Sequence, residues 1–248
     1  MDIQEYYRKN PLMVSSPFGG RDFFDELFFE RVLNMLDINI AKKLVLDAGC
    51  GRGLVANYCF KRDAYYIGCD FVKSFQGDPH IPFLLADGQR LPFKNEIFDV
   101  IFCIDAFEHF PSQKKAAKEF KRVLKKNGTV FLSVPNYSNI CGLVKLFEEK
   151  CGFYEKGAWA PFGNWKPQVL EQFITPWRIK KVFKNAGFRN FKFVGLDREL
   201  ITGIFPWIEH PRIPEAIKFR LQRWFPGAKQ FFSRIFPHLS GHTFWKIG

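Results

Sequence analysis

The sequence predicts an α/β protein with a Rossmann-like, seven-stranded and mostly parallel sheet that carries helices on both faces. Short β-type runs alternate with helical patterns from Leu44 onward, which is typical of a parallel sheet covered by helices. The first run leads directly into a turn with three glycines, and the next two runs each end near an aspartate. The chain of 248 residues is long enough for one large domain with substantial appendages.

The predicted elements follow a regular order along the chain. Strands are predicted at residues 43–49, 64–71, 81–88, 98–105, 129–134, 188–196 and 242–247. A helix follows the first strand over residues 54–61. Ser112 is expected to cap a second helix and Gly128 to end it, while a third helix runs from Thr175 to Gly187. In such doubly wound sheets, ligands bind at the carboxyl ends of the strands, where the winding direction reverses.

Three stretches do not fit the alternation of strands and helices. Residues 1–43 precede the first strand and contain a phenylalanine-rich amphipathic helix near residues 22–36. Residues 137–174 and 198–238 are long insertions after the fifth and sixth strands. Because long loops in compact domains usually act as lids or binding elements, we expect an N-terminal helical lid segment, a main domain over residues 44–248, and a substrate cap formed by the two insertions.

Composition limits the location and the partners of the protein. The formal net charge is +12, of which residues 137–248 carry +10. This charge suits an anionic membrane surface, a phosphorylated substrate or nucleic acid, although basic residues also keep a phenylalanine-rich surface soluble. No apolar run reaches the ~20 residues of a membrane span and no secretory signal is evident, so we expect a cytoplasmic protein. The six cysteines form no Cys-x-x-Cys pair, which indicates reduced thiols.

The turn after the first strand is the first candidate binding site. Gly49, Gly51 and Gly53 lie between an apolar strand and a helix, where small residues let a nucleotide-like ligand approach the backbone. A dinucleotide fingerprint requires a third glycine at the position that Leu54 occupies. Asp47 precedes the turn, and its carboxylate would repel a pyrophosphate but suits a cationic ammonium group. The pattern therefore disfavours a dinucleotide.

Two further aspartates follow the next strands. Asp70 ends the second strand, where an acidic side chain can accept hydrogen bonds from both hydroxyls of a ribose. Asp87 ends the third strand and can accept a hydrogen bond from an adenine amino group, with Gly88 and Gln89 shaping that pocket. Their placement favours recognition of an adenosine.

Five segments, VLDAGCGRG, IGCDF, LLADGQRLPF, FDVIFCIDAFEHF and FKRVLKKNGTVFLSVPN, follow one another over residues 44–136. Together they resemble the class I S-adenosylmethionine-dependent methyltransferases, specifically the small-molecule branch often called type 11. The similarity extends more weakly over residues 175–195. The resemblance implies methyl transfer with S-adenosylmethionine as the cofactor.

The resemblance also implies a set of cofactor-binding residues. The set consists of Asp47, Gly49, Cys50, Gly51, Asp70, Phe71, Asp87, Gly88 and Ile104. Asp47 and the glycine turn would contact the amino-acid end of the cofactor, Asp70 the ribose, and the pair Asp87 and Gly88 the adenine. The backbone of Ile104 would contact the methionine or ribose edge.

The segment after the fourth strand carries the candidate catalytic residue, His109. This loop faces the transferring methyl group in the fold, and an imidazole that titrates near neutral pH can act as a general base. Two other interpretations remain open. Asp105, Glu108 and His109 could hold a divalent metal, or Glu108 and His109 could simply pack and cap the following turn. We expect no other metal site.

The C-terminal region bears on the acceptor. Residues 212–236 contain two short amphipathic patterns, with Ile, Leu, Trp and Phe on one face and Lys and Arg outside it. They either pack on the sheet as a cap or lie on an anionic bilayer, which would make the protein peripheral at the membrane. The sequence therefore favours methylation, on oxygen, of a small apolar or lipid-like acceptor.

Two other functions remain as alternatives. RNA methylation suits the basic second half, but nucleic acid is the less favoured partner because no RNA-binding module is recognisable. The fourth strand lacks an Asn/Asp-Pro-Pro-Tyr motif and the chain has no Pro-Cys pair, which disfavours methylation of nucleic-acid amino groups and of cytosine carbon. The second alternative is a non-catalytic protein that binds S-adenosylmethionine. The sequence does not indicate an oligomeric state.

Overall fold

The computed structural model describes residues 26–72, 80–152, 170–195, 220 and 235–248. The strands within them are β1 (Leu44–Ala48), β2 (Tyr65–Asp70), β3 (Phe83–Leu85), β4 (Phe98–Ile104), β5 (Leu124–Pro135), β6 (Phe191–Gly195) and β7 (His242–Ile247). They form one sheet in the order β3-β2-β1-β4-β5-β7-β6. Strands β1 to β5 pair in parallel, whereas β7 is antiparallel to both of its neighbours. The predicted seven-stranded, mostly parallel sheet is confirmed.

The α-helices of the described residues are α1 (Glu26–Met35), α2 (Ala56–Phe60), α3 (Gln113–Val123), α4 (Ile140–Lys150) and α5 (Pro176–Asn185). Two helix starts follow the sequence prediction. The Ser112 hydroxyl accepts a hydrogen bond from the Lys115 amide at 3.4 Å, and that of Thr175 accepts one from the Arg178 amide at 3.2 Å. Each bond satisfies one of the amides left unpaired in a first helical turn.

Helices cover both faces of the sheet. Val45 and its parallel partner Val100 are buried in a cluster with side chains of α1 and α2. Leu46 and its partner Ile101 are buried in a second cluster, with side chains of α3 and α5. Because successive side chains of a strand point to opposite faces, the apolar runs of β1 and β4 are buried on both sides and form the centre of the sheet.

Helix α1 is part of this core. Phe29 is buried, and its ring makes edge contacts with Phe102 and Phe131 at centroid distances of 5.5 and 5.4 Å. Residues 26–43 of the predicted lid segment therefore pack with the main domain. Residues 1–25 lie outside the described residues, and a lid formed by them stays a prediction.

Gly128 does not end the helix that Ser112 begins, so that prediction was wrong. Helix α3 ends at Val123, and Leu124 already pairs with Phe98 as the first residue of β5. A Cβ on Gly128 would lie 2.6 Å from the Leu124 Cγ and 3.0 Å from the Asp99 carbonyl oxygen. Close packing at a register shift between β4 and β5 requires the glycine.

Most of the two predicted insertions lies outside the described residues. The structure describes α4 within residues 137–174, but residues 153–169 are not described. Of the amphipathic patterns predicted over residues 212–236, it describes positions 220, 235 and 236 alone. Within the described part of the chain, no helix is both long and apolar enough to cross a membrane.

Candidate active site

The turn after β1 lies against the end of β2. The amides of Gly49 and Cys50 both donate to the Cys69 carbonyl, at 2.8 and 3.0 Å. Gly49, Gly51 and Gly53 all have positive φ angles, of 80°, 50° and 70°, which glycine adopts without steric cost. A Cβ on Gly49 would lie 2.4 Å from the Cβ of Ala106, whereas a Cβ on Gly51 would have no atom of a described residue within 4 Å apart from its own chain neighbours. The turn is therefore packed at its first glycine and open at its second.

Asp70 holds the open part of this turn in place. Its Oδ2 accepts a hydrogen bond from the Gly51 amide at 2.9 Å, and its Oδ1 accepts one from the Val72 amide at 3.1 Å. Burial raises the pKa of Asp70, and the amides of Val72, Gly51 and Phe71 act in the opposite direction. The structure thus brings together three of the predicted cofactor-binding residues, Gly51, Asp70 and Phe71.

Asp47 lies beneath the turn and is buried. The Tyr66 hydroxyl donates a hydrogen bond to its Oδ2 at 2.8 Å. Burial raises the pKa of Asp47 to about 7, and the charge of Asp70 adds to this effect. Asp47 is therefore close to its titration midpoint at neutral pH, and a cation placed beside it would favour the ionised form.

Glycine on β2 makes room for this arrangement. Gly68 is the parallel partner of Asp47, and a Cβ on Gly68 would lie 2.9 Å from the Cys50 Sγ and 3.0 Å from the Tyr66 hydroxyl. Neither Gly68 nor Tyr66 was predicted from the sequence as a site residue. The signal that was present is the glycine itself, since an apolar strand with a glycine in its interior indicates close approach of another group.

The predicted adenine pocket is linked to the segment after β4. Asp87 Oδ1 accepts hydrogen bonds from the backbone amide and the side-chain amide of Gln89, at 2.8 and 3.1 Å. Gln89 Oε1 in turn accepts from the Ser112 amide at 2.7 Å. A Cβ on Gly88 would lie 2.8 Å from the Phe110 ring. The Phe110 ring therefore packs directly against Gly88, and this contact was not predicted from the sequence.

The end of β4 carries a strained and partly exposed carboxylate. Ile104 ends the strand half-buried, and Asp105 follows with a φ of 48°. Asp105 Oδ1 accepts a hydrogen bond from the Ser133 hydroxyl at 2.8 Å, and His242 Nε2 lies 2.8 Å from the same oxygen. Burial raises the pKa of Asp105, but the opposite effect of His242 and Ser133 is larger. The net pKa lies below the usual value, so this carboxyl stays ionised at neutral pH. Non-glycine residues with positive φ are enriched at functional sites.

One of the two ring nitrogens of His109 holds the side chain in place. Its Nδ1 lies 2.6 Å from the Leu170 carbonyl oxygen. Because a carbonyl only accepts hydrogen bonds, Nδ1 carries the proton, and Nε2 is the basic nitrogen of the neutral ring. Burial lowers the pKa of His109, which keeps the ring neutral at pH 7. A neutral, oriented imidazole meets the chemical requirement for a general base.

Glu108 and Glu171 lie beside His109 and Asp105. Burial, Asp105 and Glu171 hold the pKa of Glu108 well above its usual range. Burial and Asp105 raise the pKa of Glu171 to about 8, and the Tyr137 hydroxyl donates to its carboxyl group. The structure places Glu108 Oε1 3.8 Å from His109 Nε2, but within the described residues no three His, Cys, Asp or Glu side chains are arranged to hold a metal ion.

Comparisons with known proteins assign the chain and its fold to one family. A family model described as a methyltransferase domain matches residues 46–132. The chain is 30% identical to an uncharacterized protein of Methanocaldococcus jannaschii, over 67% of this chain and 85% of that protein. It is also 32% identical to the ubiquinone biosynthesis O-methyltransferase of Dechloromonas aromatica, over 40% of this chain and 47% of that protein.

A solved structure agrees with these sequence matches. The SAM-dependent methyltransferase of Archaeoglobus fulgidus superposes with a TM-score of 0.57 at 16% identity, over 90% of this chain and 94% of that chain. The chain belongs to the class I S-adenosylmethionine-dependent methyltransferases. The expected enzyme class and cofactor are confirmed, and the methyltransferase requires a methyl acceptor as its second substrate.

The residues present fit S-adenosylmethionine. The cofactor carries an ammonium group, two ribose hydroxyls and an adenine amino group, which are all hydrogen-bond donors. The methyltransferase places the carboxyl groups of Asp47, Asp70 and Asp87 at the ends of three neighbouring strands, β1, β2 and β3. The space above Gly51 is open. Donors on the ligand thus have acceptors on the protein, and the backbone leaves room for it.

Proposed function

We propose that the methyltransferase transfers the methyl group of S-adenosylmethionine to an oxygen atom of a small apolar or lipid-like acceptor. The observation that carries this proposal is the neutral His109, held by the Leu170 carbonyl at the carboxyl end of β4. The similarity to a protein named as an O-methyltransferase supports the choice of oxygen.

Cofactor binding in this proposal uses the set inferred from the sequence. Asp47 accepts from the ammonium group, Asp70 from the ribose hydroxyls and Asp87 from the adenine. Gly49, Cys50, Gly51, Phe71, Gly88 and the backbone of Ile104 line the remaining surface. The hydrogen bond between Asp70 and the Gly51 amide supports this arrangement, because it holds the carboxylate and the open turn in one unit.

His109 acts on the acceptor. Bound S-adenosylmethionine supplies an electrophilic methyl group on a positively charged sulfur. His109 Nε2 would remove the proton of the acceptor hydroxyl, and the acceptor oxygen would take the methyl group that the bound cofactor supplies, with S-adenosylhomocysteine as the leaving group. The Leu170 carbonyl keeps the other ring nitrogen protonated throughout.

An apolar acceptor is supported by α4, which follows the carboxyl end of β5. Leu143, Leu146 and Phe147 lie one turn apart on this helix and are exposed. The aromatic residues predicted to line the acceptor pocket, between positions 153 and 165, lie outside the described residues. The pattern of residues 212–236 supports an anionic membrane surface as the place where a lipid-like acceptor is reached.

RNA methylation is not favoured by the described basic surface. A cavity of about 520 Å³ is lined by Lys126, Arg189, Lys192 and Lys246. Lys126 lies at the amino end of β5, whereas the candidate active site lies at the carboxyl ends of the parallel strands. A nucleic acid bound at this cavity would therefore not lie along the catalytic edge of the sheet.

The acceptor class is tested by incubating the enzyme with methyl-labelled S-adenosylmethionine and a fractionated cell extract. We expect the label in molecules that extract into organic solvent, and mass spectrometry should find the new methyl group on oxygen. Label in RNA would contradict the proposal and favour the RNA alternative. Label on a nitrogen atom would contradict the O-methylation part alone.

Replacing His109 by glutamine is expected to lower kcat by about 100-fold or more, a loss typical of a removed general base. Because burial lowers the pKa of His109, activity of the native enzyme should show a rise with pH through a pKa below ~6.5. The variant should lose this step in the pH profile.

A matched control is His238→Gln, since the His238 ring packs on Trp177 with centroids 5.5 Å apart and is not part of the site. That variant should keep the native pH profile. Undiminished turnover by His109→Gln, with the cofactor still bound, would remove His109 from the mechanism.

A further inference from the structure

Three carboxyl groups meet beside the candidate base and form what we call the acid cluster: Asp105, Glu108 and Glu171. The Gln172 amide donates to the Glu108 carbonyl at 3.0 Å, which fixes the segment of Glu171 against that of Glu108. The charge of Asp105 raises the pKa of both glutamates, as expected for carboxyl groups that share one region. The cluster adjoins the donor site because Asp105 directly follows Ile104.

One oxygen atom of this cluster lacks a partner. Glu108 is 3% exposed, and its Oε2 accepts no hydrogen bond from any residue that the structure describes. Its Oε1 lies 3.8 Å from His109 Nε2, beyond hydrogen-bond distance. A buried carboxyl oxygen without a partner costs about 1–3 kcal/mol or more, so such an atom requires an explanation, and a bound cation is one that supplies the missing partner.

The cationic and imidazole side chains described near the cluster do not supply the missing partner of Glu108 Oε2. His242 Nε2 lies 2.8 Å from both Asp105 Oδ1 and the Ser133 hydroxyl, and it makes no hydrogen bond to Glu108 Oε2. Burial keeps His109 neutral. Lys145, which contacts the Tyr137 ring, pairs with Glu149 at 2.8 Å.

Asp105 offers a second oxygen to a ligand. Its Oδ1 makes the contacts with Ser133 and His242, while the side chain as a whole is 55% exposed. Asp105 is ionised, and an ammonium group bound beside it would also favour the ionised form of Glu108, so the two side chains can present two acceptor oxygens to one region. An ammonium group, with three N–H donors and a positive charge, is complementary to such a region, and an apolar or anionic group is not.

We propose that the acid cluster is an ammonium-binding subsite, so that the acceptor carries a protonated amine close to the atom that receives the methyl group. This inference rests on the proposed function in placing the acceptor at the carboxyl end of β4. It adds a charged group to an acceptor whose remaining surface is apolar.

The test compares two amphiphiles of equal chain length, n-octylamine and 1-octanol, by calorimetry on the full chain saturated with S-adenosylhomocysteine, in buffer containing a metal chelator. We expect the native protein to bind the amine at least tenfold more tightly than the alcohol. Glu108→Gln should lose most of this preference while its affinity for octanol stays within about twofold.

Two further variants keep the test decisive. Glu96→Gln makes the same substitution at an exposed residue before the amino end of β4 and should keep the native preference. If Glu108→Gln does not fold, as judged by thermal denaturation, Asp105→Asn replaces a more exposed member of the cluster and should reduce the preference in the same way. Equal binding of amine and alcohol by the native protein, or an undiminished preference in the folded cluster variants, would overturn the inference.

The ammonium subsite and the proposed O-methylation can fail independently of each other. Methylation of an amine nitrogen would contradict O-methylation while the preference for octylamine stood. Methylation of an uncharged alcohol by an enzyme that shows no amine preference would leave the proposed function intact and remove the subsite.

Discussion

Replacing Asp70 by alanine is expected to weaken the binding of S-adenosylhomocysteine by about 100-fold or more. In the proposed site this carboxylate accepts hydrogen bonds from two ribose hydroxyls, and bonds to a charged group contribute about 1.5–3 kcal/mol each. Two such bonds correspond to at least a factor of about 100 in affinity. The substitution also releases the Gly51 and Val72 amides that Asp70 holds at 2.9 and 3.1 Å, so the open turn loses its support.

Calorimetry with S-adenosylhomocysteine measures this loss directly. Asp99→Ala is a suitable control, because Asp99 also accepts from a backbone amide, that of Leu44 at 3.0 Å, but lies near the amino end of β4. We expect that control to lower stability while the affinity of the folded protein for the ligand is unchanged. Equal affinities for the native protein and Asp70→Ala would remove Asp70 from the cofactor site.

The core of the fold was predictable because apolar runs dominate β1, β4 and the second half of β5. A run of this kind identifies a strand that is buried on both faces, and such strands form the centre of a parallel sheet. The direction of β7 could not be predicted from its own six residues, because pairing across the sheet decides it. The strand is antiparallel to both β5 and β6. The predicted end of helix α3 was wrong for a similar reason. Gly128 carries a local helix-stop signal, but pairing of Leu124 with Phe98 across the sheet decides where the helix ends.

The predicted and the missed parts of the site differ in the sequence separation of their contacts. Asp47, Gly49 and Asp70 follow strand ends, and parallel strands bring their carboxyl ends to one edge, so local pattern is enough to group them. His242 reaches Ser133 from 109 residues away, and Glu171 reaches Tyr137 from 34 residues away. No periodicity connects such pairs. The acid cluster could not be predicted from the sequence for this reason, since Glu171 joins it through the long-range hydrogen bond of its neighbour Gln172 to the Glu108 carbonyl.

The glycines of the turn after β1 should respond differently to the same substitution. Gly49→Ala is expected to destabilise the fold by about 2–6 kcal/mol, since overpacking and a strained backbone each cost about 1–3 kcal/mol. The structural reason is that the new methyl group would lie 2.4 Å from the Cβ of Ala106, in a residue with a φ of 80°. Urea unfolding measures this effect, and cofactor binding should fail in parallel with it.

Gly51→Ala separates the ligand from the fold. Within the described residues, only the chain neighbours of Gly51 can come within 4 Å of the new methyl group, and φ is 50°, so this substitution should cost only about 1–2 kcal/mol of stability. Its affinity for S-adenosylhomocysteine should nevertheless fall at least tenfold, because the methyl group would occupy space that the proposed site gives to the ligand. Native affinity in Gly51→Ala would show that the open space is not used. A loss of affinity in a protein that still unfolds cooperatively would assign the second glycine of the turn to the cofactor and the first to packing.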